Sequence, residues 1–126
     1  MKTIINTNNA PTPIGPYNQA VLVGNTLYTS GQIAIDPKTN ALVLDNITIE
    51  TKQVMENLRS ILKASNMTFK HVVKSTIFIS NMEDFALIND VYGNYFTDEN
   101  APARETVQVA KLPKNVNVEI SVIAIN

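Results

Sequence analysis

Between Asn100 and Glu119 the chain sets one arginine and one glutamate in two alternating runs joined by a proline-bearing turn. Side chains alternate across a strand with period two, so Arg104, Thr106 and Gln108 share one face of the first run and Val107 and Val109 take the other. In the second run Val116, Val118, Ile120 and Val122 form an apolar face, while Asn117, Glu119 and Ser121 point the opposite way. Antiparallel pairing of the two runs would bring Arg104 and Glu119 onto one polar face able to hold a small anion. Arg104, following Pro102 and Ala103, could grip a carboxylate through two parallel hydrogen bonds. The plainer reading of that arginine is a surface or interface ion pair. Glu119, between Val118 and Ile120 in an otherwise apolar run, is either partly buried and paired, the favoured reading, or exposed on an unimportant face.

Other residues are weaker candidates. Ser30-Gly31-Gln32 puts a glycine inside a strand pattern, which marks either a bulge or a close approach of ligand to backbone. Tyr17 follows Gly15-Pro16 and could present its hydroxyl at a strand entrance, or could simply be an anchored ring. His71 opens a strand without a visible partner and reads as solvated. Tyr92, Tyr95 and Phe96 read as a helix core stripe.

The composition removes several chemistries. No cysteine occurs, which excludes disulfides, thiolate metal ligands and thiol nucleophiles. The single histidine argues against a histidine metal centre or a Ser-His-Asp triad. A net charge of -1 gives no footprint for nucleic acid or an anionic membrane, and four glycines cannot assemble a dinucleotide fingerprint or a Walker loop. With 126 residues, 44% hydrophobic and 17% charged, the chain is expected to form a single domain over 1–126. It shows neither a secretory signal pattern nor an apolar stretch of the roughly 20 residues that span a bilayer, so a cytoplasmic protein is expected.

The elements that must position these residues follow from periodicity. Residues 6–16, with Pro11, Pro13, Gly15 and Pro16, read as an ordered loop. Tyr17–Val23 and Thr26–Ile35 flank Gly24-Asn25 and read as a hairpin. Helical spacing of Ile47, Val54, Leu58, Ile61 and Leu62 predicts a helix from Ile47 to Ala64 capped by Asp45 or Asn46. His71–Ser80 reads as a strand with Val73, Ile77 and Ile79 inward and Lys74 and Phe78 on the other face. A second helix is predicted over Met82–Phe96, capped by Asn81. The class is α+β, with two helices covering one face of a mixed, mainly antiparallel sheet. Ile123 and Ile125 lie beside Glu119 on the other face, which predicts a second subunit against it and ligand sites at the subunit interface.

In order along the chain, Gly15-Pro16-Tyr17, Thr29-Ser30-Gly31-Gln32-Ile33, Asn89-Asp90-Val91-Tyr92, Pro102-Ala103-Arg104, Val109-Ala110-Lys111-Leu112-Pro113-Lys114 and Val118-Glu119-Ile120 resemble the reactive intermediate deaminase A family. The resemblance runs the whole length. It implies a chorismate-mutase-like fold and a homotrimer whose sheets surround a central barrel, with a cleft between each pair of subunits. It implies hydrolysis of 2-iminobutanoate and 2-iminopropanoate, unstable products of pyridoxal-phosphate-dependent dehydratases, to 2-oxo acids and ammonia. Arg104 would hold the carboxylate, the Gly31 backbone would orient the ligand, and Glu119 would place or activate water. Tyr17 and Ser30 would line the cleft, Tyr17 as proton donor or orienter. No metal or organic cofactor is implied. Where the family runs Ser-Cys-Val-Glu-Val after the arginine, this chain has Glu105-Thr106-Val107-Gln108-Val109, so Thr106 offers a hydroxyl where the family offers a thiol. Glu105 should face away from Arg104. Two other functions fit the same resemblance: a 2-oxo acid sensor without turnover, and a chaperone-like regulatory protein.

Overall fold

Asn46 starts the longest element by accepting a hydrogen bond from the Ile49 N–H at 2.9 Å. The helix that follows, α1 (Ile47–Ala64), keeps the bounds its periodicity predicts and buries Val54, Leu58, Ile61 and Leu62 completely. It stops where Asn66 turns left-handed (φ 57°), with the Ser65 and Met67 N–H groups both bonded to the Leu62 carbonyl. The computed structural model describes residues 1–126. Around α1 stand strands β1 (Lys2–Ile5), β2 (Ala20–Val23), β3 (Thr26–Thr29) and β4 (Val72–Ile79), helix α2 (Phe85–Gly93), and strands β5 (Ala103–Gln108) and β6 (Val118–Ile125).

These strands form one six-stranded sheet in the order β1-β2-β3-β6-β4-β5. Only β4 and β5 pair parallel. The predicted Arg104/Glu119 hairpin is therefore absent, because β4 lies between β5 and β6. The cause is α2: a strand reached through a helical crossover returns parallel beside the strand it left, and the Val109–Asn117 connection then carries the chain across to the far side of β4. β1, a four-residue edge strand, was not expected, its Lys-Thr-Ile-Ile being too short to show alternation. The predicted β2–β3 hairpin forms across Gly24-Asn25, Gly24 supplying φ +60°, but both strands are shorter than predicted. Val73 is exposed rather than inward, since a bulge between Val72 and Lys74 turns it out.

Asn81 does cap the second helical segment, accepting from the Glu83 N–H at 3.0 Å. The first turn is 3₁₀, however, and the α-helix ends at Gly93, so Tyr95 and Phe96 lie beyond it. They still pack with Phe69, at ring-centroid distances of 5.1 and 5.4 Å. His71 is not merely solvated. Its Nδ1 accepts from the Thr68 N–H at 3.0 Å in a capping box that precedes β4.

Both helices cover one face, where Ile77, Ile79, Val118, Ile120 and Val122 join the α1 residues in the main core. The opposite face carries only a small cluster of Ile33, Ile35, Leu112 and Val116 under the β5–β6 connection. Ile4, Tyr28, Val107 and Ile125 there remain exposed. No helix is long and apolar enough to cross a membrane.

Glu50, one turn into α1, is completely buried and forms no ion pair. Its carboxylate instead accepts from the Asn117 N–H (2.8 Å), the Asn117 Nδ2 (2.8 Å) and the Val118 N–H (3.3 Å), fixing the start of β6. Glu50→Ala strands these donors in the core and should cost about 3 kcal/mol or more; a urea-unfolding loss below about 1 kcal/mol would show that β6 is held by other means. The open apolar face also has a consequence in solution. Sedimentation at micromolar concentration is expected to give a mass above that of one chain, and a monomer there would leave that face without its predicted cover.

Candidate functional site

Gly31 lies just past β3, where the sheet register slips. Tyr28 pairs with Ile123 but Gln32 bridges Ile120, so four steps on one strand match three on the other, and the extra residue is a bulge over Thr29–Gly31. The Thr29 hydroxyl fills the gap in the ladder, accepting from the Val122 N–H at 2.9 Å and donating to the Val122 carbonyl at 3.3 Å. Neither backbone polar group of Gly31 has a partner in the chain. Room rather than conformation favours glycine here, as a Cβ would stand 2.7 Å from Glu119 Cδ and displace that side chain. Close approach and bulge, alternatives in sequence, coincide here. The group that approaches is the chain's own glutamate.

Glu119 leaves β6 on the open face, half-buried, beside Phe78 of β4. It is not paired as expected. Burial alone pushes its carboxyl above the ordinary range, since no charge or donor offsets the desolvation. Tyr17 closes the same small cleft of about 70 Å³, with Gly31, Gln32 and Pro113 around it. The Tyr17 hydroxyl accepts from the Ile14 N–H at 3.3 Å. Sequence reasoning missed the residue that holds this loop: buried Gln19 donates to the carbonyls of Thr7 (2.9 Å), Pro11 (2.9 Å) and Ala10 (3.2 Å) and accepts from the Thr7 N–H (2.8 Å). Asn57 of α1 does the same for the far wall, donating to Ile33 and Ile35 carbonyls at 3.2 and 3.0 Å. Ser30 does not line this cleft; its hydroxyl donates to the Asn18 carbonyl at 2.6 Å.

Arg104 stands elsewhere. Its β4 partner is Ser75, which is buried toward the helices, so the guanidinium projects on the helix side of the sheet and Glu119 on the other. Its carbon lies 5.2 Å from the Tyr92 ring centroid and 5.6 Å from that of Phe85, and Nη1 donates to Asn89 Oδ1. Tyr92 is itself fixed by a 2.9 Å hydrogen bond to Ser75 Oγ, and burial raises its hydroxyl pKa despite that bond and the Arg104 charge. No carboxylate of the chain pairs with Arg104, which borders a cleft of about 400 Å³ together with Asn89, Thr97 and Pro102. Thr106, two residues on and facing the same way, has a buried hydroxyl without a partner. Glu105 faces away as expected, bonded to Lys74 Nζ at 2.7 Å, and that bond lowers its pKa.

The chain thus presents two separate clusters: Tyr17, Gly31 and Glu119 in one, Arg104 and Thr106 in the other. Two strand spacings and three residues of rise separate the α-carbons of Arg104 and Glu119 by on the order of 14 Å, with side chains leaving opposite faces. A ligand of a few heavy atoms cannot touch both within one chain. No group of His, Asp and Glu side chains is placed to hold a metal ion.

Comparison with known proteins agrees over the full length. The family model described as endoribonuclease L-PSP matches residues 7–126. A RutC family protein of Pyrococcus horikoshii is 49% identical over 124 residues, 98% of each chain. The 2-iminobutanoate/2-iminopropanoate deaminase of Salmonella typhimurium is 44% identical over 127 residues, 99% of this chain and 98% of that one. Among solved structures, E. coli TdcF with bound serine superposes with a TM-score of 0.93 at 40% identity, covering 98% of each chain.

The Glu119 environment gives a sign for pH dependence. Folded Glu119 keeps its proton to higher pH than the unfolded chain does, so its contribution to stability is complete below the unfolded carboxyl value of about 4.3 and is lost as pH rises through the folded value. Glu119→Gln should therefore be more stable than the parent at neutral pH and equal to it in acid. Equal stability across the whole range, or a Glu119 carboxyl titrating by NMR at or below the ordinary value, would contradict a desolvated carboxyl.

Proposed function

The chain belongs to the endoribonuclease L-PSP family, as a reactive intermediate deaminase of the A type, and from that premise we propose that it hydrolyses 2-imino acids such as 2-iminobutanoate and 2-iminopropanoate to 2-oxo acids and ammonia. The observation that carries this reading is the unpaired Glu119 carboxyl lying directly on the free backbone of Gly31. Water adds to the imine carbon there, and the C=N double bond becomes a C–N single bond. Glu119 takes the proton that water loses and passes it to nitrogen, giving a carbinolamine; it then carries the hydroxyl proton to the same nitrogen, the C–N bond breaks, and ammonia leaves as the C=O double bond forms. A carboxyl raised by burial is closer to the pH at which it can both accept and return a proton. Tyr17 stands beside it to orient the water or the leaving nitrogen.

The substrate carboxylate goes to Arg104, whose free guanidinium edge suits bidentate binding. Because Arg104 and Glu119 face opposite sides of one sheet, the working site joins Arg104 of one subunit to Gly31, Glu119 and Tyr17 of another, in a homotrimer closed over the open faces. The partnerless Thr106 hydroxyl is available to the same ligand. Supply by dehydratases that release imino acids follows from the substrate's chemistry. Positioning of water and substrate carries the acceleration, with no cofactor assigned.

The family description also names an RNA-cleaving activity, and a sensor that binds 2-oxo acids without turnover would use the same arginine. A dehydratase-coupled assay separates them. The protein should shorten the lifetime of the imine, and Arg104→Ala should lower that effect about a hundredfold or more with the assembly intact. An unchanged imine lifetime would sink the deaminase reading. The composite site makes a sharper claim: Arg104→Ala and Glu119→Gln, each inactive alone, should recover about a quarter of the sites when refolded together, because random mixing restores an intact pair at one interface in four. No recovery in mixed assemblies would place both residues in one chain's site.

A further inference from the structure

A hollow larger than either of these clefts lies elsewhere in the chain. It encloses about 670 Å³ between the last turns of α1, the Met67–Lys70 turn and the segment that follows α2, a volume within the range of small-molecule sites. Leu62, Met67 and Phe69 give it a buried apolar floor, and Tyr95 and Phe96 stand at its wall half-buried. Its charged lining is of one sign: Arg59, Lys63 and Lys70, with no acidic residue.

The three cations differ in how far they are already engaged. Arg59 stacks over Phe69 and Tyr95, its guanidinium carbon 5.8 and 5.1 Å from the ring centroids, and stands 3.7 Å from Glu56. Glu56 in turn accepts from the Tyr95 hydroxyl at 2.7 Å, and burial together with that bond raises the tyrosine's pKa, so the phenol stays neutral and the wall keeps its shape. Lys63 and Lys70 form no ion pair. A helix C-terminus ordinarily disfavours a nearby anion. Here the Leu62 and Lys63 carbonyls are taken up by the N–H groups of Ser65, Asn66 and Met67, which removes much of that opposition.

We propose that this hollow is a second ligand site, taking a small organic anion that carries one flat ring, with the ring against Phe69 and Phe96 and the anionic group between Lys63 and Lys70. An inorganic anion would leave the aromatic floor unused, and a neutral ring would leave both lysines uncompensated. Phe96 and Thr97 line both this hollow and the Arg104 cleft, so the two are neighbours yet chemically separate, and the Gly31–Glu119 half-site shares no residue with it.

Phenyl phosphate is a suitable probe, followed by amide NMR shifts in the assembled protein. Shifts should centre on Thr68–Lys70 and Asn94–Thr97, inorganic phosphate and phenol should each bind at least about tenfold more weakly, and Lys63→Glu/Lys70→Glu should weaken phenyl phosphate by a similar factor with an unchanged unfolding midpoint. Lys70→Gln should give a smaller drop, and Arg104→Ala none. Binding of inorganic phosphate as tight as that of the probe would mean an adventitious ion only. Shifts confined to the surroundings of Arg104, or an affinity indifferent to both lysines, would equally overturn the site.

Discussion

A carboxylate buried without a counter-charge holds this fold in register. Burying the Glu50 carboxyl group in the core is costly unless its oxygens are met by donors, and Asn117 and Val118 supply three. The bond runs from the first turn of α1 to the first residue of β6, so it sets where β6 begins against the helix layer. Everything in the Glu119 cleft depends on that origin. A slip of one residue would turn Glu119 into the core and Val118 or Ile120 out to the open face. Asn57, two turns further along α1, ties the opposite wall by its two bonds to Ile33 and Ile35. One helix therefore positions both sides of the Gly31 cleft, and it does so with polar side chains that are almost fully buried.

Those same polar side chains explain where the sequence could be read and where it could not. Periodicity located α1 to the residue, the Gly24-Asn25 hairpin and the Asn81 cap, because each is a local consequence of spacing or of turn chemistry. Gln19, Glu50 and Asn57 carry no such mark. A glutamine or glutamate with one apolar and one polar neighbour looks the same in sequence whether it faces water or organises a loop. The order of strands was hidden for another reason. Both the antiparallel and the parallel placement of β5 keep Arg104, Thr106 and Gln108 on one face, so alternation is indifferent to the choice. The crossover through α2 decides it, and a hairpin reading of adjacent runs overlooked that connection.

Gly31 was legible as an anomaly but not in its cause. A glycine at that point of a strand pattern signals room for something, and a ligand, a bulge and a neighbouring side chain all produce the same letter. The structure shows that the room is taken by Glu119, an acid more than eighty residues away in sequence, whose position beside Gly31 follows from the bridge between Gln32 and Ile120. The exchange of the family's usual cysteine for Thr106 has a similarly plain physical content. A hydroxyl that is buried and partnerless here keeps the capacity to donate to a ligand oxygen while giving up nucleophilicity and oxidation chemistry.

The separation of Arg104 from Glu119 leaves each without a charged partner in its own chain. Side by side in one chain at about 4 Å, a guanidinium and a carboxylate attract by about 4 kcal/mol at an effective dielectric of 20. Such a pair would hold the glutamate ionised, lower its pKa and occupy the hydrogen bonds that a substrate carboxylate needs. The sheet prevents this by sending the two side chains to opposite faces. Arg104 instead rests on the rings of Phe85 and Tyr92 and on a neutral acceptor, Asn89, which orient the charge without cancelling it. Glu119, lacking any partner, keeps a pKa raised by burial. The proposed site, which joins the two across a subunit boundary with the substrate between them, would preserve both properties: the anion would neutralise the arginine, and the acid would remain free for water.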